Sequence, residues 1–206
     1  MVSILRRAQL DYIPTIRLKG DVIDLGAKSS ENSYFALLCK DDVKTFTFAD
    51  YYHDGPDIVQ IDFEKKFKVP DESFDTILAF NVLEHIFNYD QFISECHRIA
   101  RNGASFHLLI PFLWKFHEDP FDFHRYTHQA LERILDKHSW EIVSIAPTVD
   151  GQFAVTCSMF ESYLPSFLRR HFQSLALFID RLIAVKTNRK VTFPLGYNVH
   201  ARKRRS

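Results

Sequence analysis

An α/β protein built on a mostly parallel sheet is the fold class this sequence predicts, and three observations carry that expectation. Short β-rich apolar runs alternate with helical patterns between residues 21 and 146. Four of the runs end at acidic or polar residues, in segments 24–30, 50–53, 62–63 and 81–85. In a parallel sheet those ends converge on one crevice beyond the carboxyl edge. At 206 residues the chain suits a single domain with an appended subdomain and is too short for a second full domain.

The strands are expected over residues 21–25, 45–48, 58–61, 74–80 and 105–110, with crossover helices between them. In "NYDQFISECHRIARNG", Phe92, Ile93, Cys96, Ile99 and Ala100 fall at offsets 0, 1, 4, 7 and 8, one face of a helix. Arg101, Asn102 and Gly103 are expected to close it. After residue 110 comes a polar and aromatic loop, "HEDPFDFHRYT", and Thr127 then caps a helix with Leu131, Ile134 and Leu135 on one face. Two more strands, 141–146 and 197–201, complete the sheet. Residues 151–195 fall between them with helical periodicity, where a simple sheet needs only a short connection, so they read as an insertion or lid. The basic end, 202–206, is expected to be disordered.

Composition narrows the class further. Apolar residues make up 46% and charged ones 25%, as in globular proteins, although 20 Phe and only 6 Gly are unusual. Cys39, Cys96 and Cys157 are odd in number and far apart, which suits neither a disulfide framework nor a zinc knuckle and points to the reducing cytoplasm. The first 14 residues are too poor in apolar residues for a signal peptide, and "LALFIDRLIAV" is interrupted by Asp180 and Arg181, so no membrane span is expected. The zero formal charge hides an asymmetry of ten Lys/Arg against two Asp/Glu from Glu161 onward. That cationic module favours peripheral contact with anionic lipid at the inner membrane face. No nucleic-acid fold motif accompanies it, so nucleic acid is not an expected partner. The insertion between the last strands also reads as a cover for a greasy acceptor or as a homodimer face.

Two residues direct attention to a nucleotide-like ligand. Gly26 allows close backbone approach, and Asp50, 24 residues further on, stands where an acidic side chain accepts both hydrogen bonds of a ribose diol. Lys28 and Ser30 occupy the next positions that usually carry glycine. A dinucleotide needs those glycines for its pyrophosphate, so their loss counts against NAD more than against a cofactor without phosphate.

The segments "DVIDLGAKS", "ADYY", "DIVQIDFEKKFKVPDESFDTILAFNVLEHI" and "ISECHRIARNGASFHLLIP" resemble the successive motifs of class I S-adenosylmethionine-dependent methyltransferases. The closest resemblance is to the type 11-like group found with bacterial polysaccharide and natural-product genes. It spans about residues 18–146 and is most distinctive over 70–86. It implies a Rossmann-like seven-stranded, mostly parallel sheet with an antiparallel last strand, "LGYNVHARK", and a helical insertion before it. It implies S-adenosylmethionine as cofactor and S-adenosylhomocysteine as product. By motif, Asp24 and Gly26 hold the methionine end, Asp50 the ribose, and Asp62 with Phe63 the adenine; Ala27, Lys28 and Tyr51 are further cofactor-binding candidates, Lys28 either pointing outward or pairing with the methionine carboxylate. Asn81 and the turn after it flank the methyl.

The pattern "H..P.DF.R.T" resembles the acceptor-side loop of the same family. Its position after the fifth strand at the cleft mouth, and the ability of a histidine to accept a proton at neutral pH, make His117 the first choice of base, with Asp122 orienting it; His85, after the fourth strand, is the second choice, and His124 and Arg125 are the acceptor contacts. A His/Asp cluster of this kind is chemically able to take a divalent cation, but its spacing matches no metal motif and no metal ligand is assigned. The expected reaction is O-methylation, or less readily N-methylation, of a sugar, glycan or lipid-linked small acceptor. The alternative is a noncatalytic binding or assembly protein with a degenerate glycine loop.

Overall fold

The computed structural model describes residues 2–31, 33–53, 55, 58–187 and 191–204. Seven strands make one sheet: β1 (Arg17–Leu25), β2 (Cys39–Asp50), β3 (Ile58–Gln60), β4 (Phe74–Phe80), β5 (Ala100–Pro111), β6 (Trp140–Asp150) and β7 (Pro194–Lys203). Their order is β3-β2-β1-β4-β5-β7-β6. The first five run parallel, and β7 inserts antiparallel between β5 and β6. This is the expected Rossmann-like sheet with its antiparallel last strand.

Several strands are longer than their apolar runs. β2 begins at Cys39 because the polar stretch Lys40 to Lys44 pairs with β1 through its backbone, with Arg17 opposite Cys39 and Lys19 opposite Asp42. Gly20 sits at a register shift in that pairing with φ +63°, and a Cβ there would fall 2.1 Å from Asp75 Oδ2. A glycine is needed to let the strands continue past the bulge.

The helices are α1 (Ile4–Tyr12), α2 (Tyr89–Ile99), α3 (His128–Lys137), α4 (Gln152–Phe160) and α5 (Ser166–Thr187). Ser3, Asn88 and Thr127 cap the first three, each side-chain oxygen accepting from a backbone N–H three residues on. α2 presents Phe92, Ile93, Cys96 and Ile99 to the sheet as the periodicity predicts. It is not closed by residues 101–103, because the chain passes from Ile99 directly into β5.

The crossover helices are a second correction. From β1 to β2 the only helical element among the described residues is a 3₁₀ turn at Phe35–Leu37. The face left open there is covered by the segment after α1, with Ile13, Ile16 and Leu18 joining Val22, Tyr34, Leu38, Leu78 and Phe80 in one apolar cluster. The opposite face carries the main core under α2 and α3.

α4 and α5 make up the expected insertion, and they pack against α1 and β7 through Ile4, Leu5, Val149, Ala154, Val155 and Leu195. Two buried carboxylates fasten them. Asp180 accepts from the N–H groups of Phe153 and Ala154 at 3.1 and 2.7 Å, and Glu161 accepts from Ile4 N and Gln173 Nε2 at 3.0 and 2.8 Å. Each charge sits at a helix N-terminus, which offsets its burial.

The basic end departs from expectation. Arg202 and Lys203 belong to β7, Lys203 donates to the carbonyls of His97 and Ala100, and Arg204 pairs with Asp136 at 2.6 Å; Arg205 and Ser206 lie outside the described residues. The described part of the cationic module is thus divided between α5 and the end of β7, while Arg189 and Lys190, like Arg205, lie outside the described residues. No described helix is long and apolar enough to cross a membrane.

Candidate active site

A cleft of about 640 Å³ opens where the carboxyl ends of β1, β2 and β4 meet. That size accommodates a small-molecule cofactor. Its floor carries Gly26, Lys28, Asp50, Asp62, Phe63 and Asn81, its flank Tyr51, Tyr52 and Lys65, and its mouth His85, Phe87, Asp119, Phe121 and Phe123. Eight sequence-predicted residues therefore converge there: Gly26, Lys28, Asp50, Tyr51, Asp62, Phe63, Asn81 and His85.

Gly26 ends β1 with φ +87° and donates its N–H to Ala49 O at 2.7 Å, so the chain turns sharply at the cleft floor. Asp50 ends β2, and its Oδ1 accepts from the N–H groups of Tyr52 and His53 and meets His53 Nδ1 at 2.6 Å. Asp62 accepts from Glu64 N and pairs with Lys65 at 2.8 Å, and that lysine holds its carboxyl below the usual range. Phe63 is buried and meets Phe67 and Phe92 edge-on, presenting one face to core and one to cleft.

Asp24 and Ala27 do not line the cleft. Asp24 is 0% exposed and its Oδ2 accepts from Tyr34 OH at 2.8 Å, while Oδ1 has no hydrogen-bond partner among the described residues. Burial pushes its carboxyl up to about 7, against the bond from Tyr34 and the charge of Arg6. Arg6 lies 5.2 Å over the Tyr34 ring and donates to Ser33 Oγ. Asn81 reaches the cleft in a left-handed conformation, φ 55°, but its amide is exchanged with Gln9 through two hydrogen bonds of 2.8 and 3.1 Å. Arg6, Gln9 and Tyr34 escaped the sequence reading, because their roles come from α1 crossing a sheet edge usually covered by a helix after β1.

The acceptor loop is corrected in its details. Burial raises the Asp122 carboxyl, but Arg125 and the His117 backbone outweigh that and hold it at about 2. Both Asp122 oxygens meet the Arg125 guanidinium, with the second bond at 2.6 Å, and Asp122 Oδ2 also accepts from His117 N at 2.8 Å. Arg125 donates further to the carbonyls of His124 and Lys115. The pair is a clamp inside the loop, and Arg125 is not offered to a ligand. His124 stacks on Phe87 and meets its carbonyl at 3.2 Å. His117, Asp122, His124 and Arg125 are thus absent from the cleft lining.

What that loop does supply is His117, whose ring stands edge-on to His85 at 5.0 Å between centroids. Beneath them lies Glu84, 0% exposed, with neither carboxyl oxygen hydrogen-bonded among the described residues. Burial pushes Glu84 up to about 8. Burial and the neighbouring His85 lower the pKa of His117. A single 3₁₀ turn, Leu83–His85, sends Glu84 inward and His85 to the cleft. The sequence signal for Glu84 was a lone acid inside the apolar run "NVLEHIF".

The donor set fits S-adenosylmethionine at its adenosine end. Asp50 and Asp62 supply carboxylates for hydroxyls and amine, Phe63 supplies an apolar wall, and among the described residues no α-helix begins on the cleft floor to call for a phosphate. At the methionine end the fit runs through Gly26, Lys28 and the Asn81 turn rather than through Asp24.

Residues 33–108 match a family model described as a methyltransferase domain. A 43-residue stretch is 42% identical to a Mycolicibacterium smegmatis protein named a probable S-adenosylmethionine-dependent methyltransferase, covering 21% of this chain and 17% of that protein. The alignment thus spans about a sixth of that curated relative. An S-adenosylmethionine-dependent methyltransferase from Mesorhizobium loti superposes with TM-score 0.62 over 97% of this chain and 98% of that one, at 14% identity. The [4+2]-cyclase SpnF superposes with TM-score 0.60 over 98% and 81%, also at 14% identity. At such identities the structural likeness is one of fold. The cofactor implied by the family match is S-adenosylmethionine.

Proposed function

We propose that the chain is a class I S-adenosylmethionine-dependent methyltransferase, a reading supported by its domain match over residues 33–108 and its sheet topology, and that it O-methylates a sugar, glycan or lipid-linked small acceptor. The observation that carries the proposal is a histidine beside an aromatic mouth: His85 lines one end of the cleft with the exposed rings of Phe87, Phe121 and Phe123, and His117 stands edge-on behind it. Ring faces of that kind bind flat apolar surfaces, while the imidazoles address a hydroxyl.

The cofactor supplies an electrophilic methyl on a sulfonium sulfur. Asp50 holds the ribose, Phe63 and Asp62 receive the adenine, and Lys28 pairs with the methionine carboxylate. The turn after β4, at Asn81 and Val82, backs the methyl end. His85 has its Nδ1 2.5 Å from Phe121 O; a carbonyl only accepts, so Nδ1 carries the ring proton and Nε2 keeps its lone pair. The acceptor hydroxyl is oriented, and its proton removed, in the space bounded by His85 and His117.

His117→Ala should lower turnover by about two to four orders of magnitude with cofactor affinity near wild type, the usual span for acid–base groups. The assay is methyl transfer to a panel of sugars, phenols and lipid-linked glycans, with S-adenosylhomocysteine titrated in parallel. A wild-type rate in His117→Ala removes it from the mechanism.

The noncatalytic reading draws on the sealing of Asp24 by Tyr34 and the Gln9–Asn81 amide pair, which close the methionine end. Cofactor binding without transfer to any acceptor in that panel favours it. A cytoplasmic protein touching the inner membrane face is the reading that α5 supports. Phe167, Phe172, Leu175, Phe178 and Leu182 are exposed along it beside Arg170 and Arg181, a pattern complementary to an anionic lipid surface. A homodimer through the same stripe is the competing outcome.

A further inference from the structure

We infer that Glu84, His85 and His117 form a binding site for a divalent transition-metal cation at the acceptor end of the cleft. The role of that cation rests on the O-methylation reading above, whereas its binding does not. One ligand atom from each of the three residues lies within 4.8 Å of the other two. Glu84 Oε1 and His85 Nε2 are 3.7 Å apart.

The chemistry of these atoms favours a cation over hydrogen bonding among themselves. Glu84 is inaccessible to solvent and neither of its oxygens has a donor among the described residues. The lone pair of His85 Nε2 is free because Phe121 O takes the proton on Nδ1. His117 Nδ1 is also buried without a hydrogen-bond partner among the described residues. Asp122 Oδ2 lies 3.5 Å from that nitrogen, but its hydrogen bonds go to Arg125 and the His117 N–H. Three potential ligand atoms therefore converge without a hydrogen bond between them. A single proton satisfies one pair of them, whereas a cation satisfies all three.

The second sphere is also in place. A metal-binding imidazole commonly donates its other N–H to a carbonyl or carboxylate, and His85 makes that bond to Phe121. The charge of Arg125 near Glu84 is neutralised by its two bonds to Asp122. Two imidazoles and one carboxylate suit zinc, cobalt or manganese better than magnesium or calcium, which prefer oxygen. Bonds of about 2.0–2.2 Å to one ion would draw the ligand atoms together by roughly an ångström at the widest.

Three protein ligands leave positions open toward the cleft, where His85 lies. A cation there would hold the acceptor oxygen and ease loss of its proton to water at the cleft mouth. The oxygen lone pair then forms the O–C bond as the C–S bond breaks, its electron pair staying on sulfur as a neutral thioether. The sequence hides the site because its third ligand comes from a loop 32 residues beyond His85.

The test uses the full chain, freed of metal by chelation and titrated with Zn²⁺, Co²⁺ and Mg²⁺. One equivalent of Zn²⁺ or Co²⁺ per chain is expected, with little affinity for Mg²⁺. Glu84→Gln, His85→Ala and His117→Ala should each weaken binding at least tenfold, and His171→Ala, on exposed α5, should leave it unchanged. Circular dichroism checks folding of each variant. Should a variant not fold, X-ray absorption of the zinc-loaded wild type should show two imidazoles and one carboxylate around the metal. Absent or substoichiometric binding, indifference to the three substitutions, or a different ligand shell overturns the site. S-adenosylhomocysteine is titrated into the same samples: cofactor binding without metal overturns the metal site and leaves methyl transfer standing, while metal without cofactor keeps the site and removes the methyltransferase reading.

Discussion

Asp24 is the residue where sequence and structure part most clearly. Its position after an apolar strand predicts contact with the cofactor, yet Tyr34 and α1 bury it, and burial raises its carboxyl to about 7. Folding therefore retains a proton that the unfolded chain releases near pH 4, so this residue's contribution to stability falls as pH rises from about 4 to about 7. Asp24→Asn should remove that slope. Chemical denaturation at pH 4.5 and pH 8 is expected to show the variant gaining on the order of 2 kcal/mol relative to wild type at the higher pH; parallel curves would mean Asp24 is ionised in the fold. Arg125 gives a second residue-level expectation. Its loss leaves Asp122, 1% exposed at the side chain, with an uncompensated charge. Arg125→Ala should cost about 2–4 kcal/mol and Arg125→Lys less, measured by urea unfolding. A neutral Arg125→Ala would return that arginine to the acceptor contacts.

At the scale of elements, the strands with clean apolar runs were legible and the polar ones were not. β4 was expected over 74–80 and is found at Phe74–Phe80, because Ile77, Leu78 and Ala79 are buried in the middle of the sheet. β2 begins six residues early because Lys40 to Lys44 carry no alternation and are held through backbone pairing, with Val43 packed on the neighbouring apolar cluster. The lack of an α-helix after β1 among the described residues left no signal either, since the segment between α1 and β1, with Ile13 and Ile16, supplies the covering surface. The same holds for the site: strand-end carboxylates at Asp50 and Asp62 follow from the sheet rule, whereas Glu84 and the Asp122–Arg125 clamp depend on how loops fold back. For the insertion, no described residue of 151–195 lines the cleft. Its exposed apolar stripe should bind vesicles containing anionic lipid more tightly than neutral ones, and Arg170→Glu should weaken that binding in a co-sedimentation assay. Equal sedimentation with both vesicles, together with a dimer by light scattering, would identify the stripe as a self-association face. Deleting 202–206 is unsuited to this test, because Arg202 and Lys203 are part of β7.

At the scale of the whole molecule, the sheet brings four strand ends and one loop to a single cleft, while α1 closes the methionine end through the Gln9–Asn81 amide pair. The cleft retains strand-end carboxylates that fit the S-adenosylmethionine scaffold despite Lys28, Ser30 and a sealed Asp24. The most direct measurement of that fit is isothermal titration of the full chain with S-adenosylhomocysteine, for wild type, Asp50→Ala and Asp24→Asn. One equivalent should bind to wild type; Asp50→Ala should weaken binding by about 1–3 kcal/mol, the scale of hydrogen bonds lost from a charged group, with its fold checked because Asp50 also holds the Tyr52 and His53 N–H groups. Asp24→Asn should bind as wild type does. No binding to wild type, or loss through Asp24 with Asp50 immaterial, would contradict it.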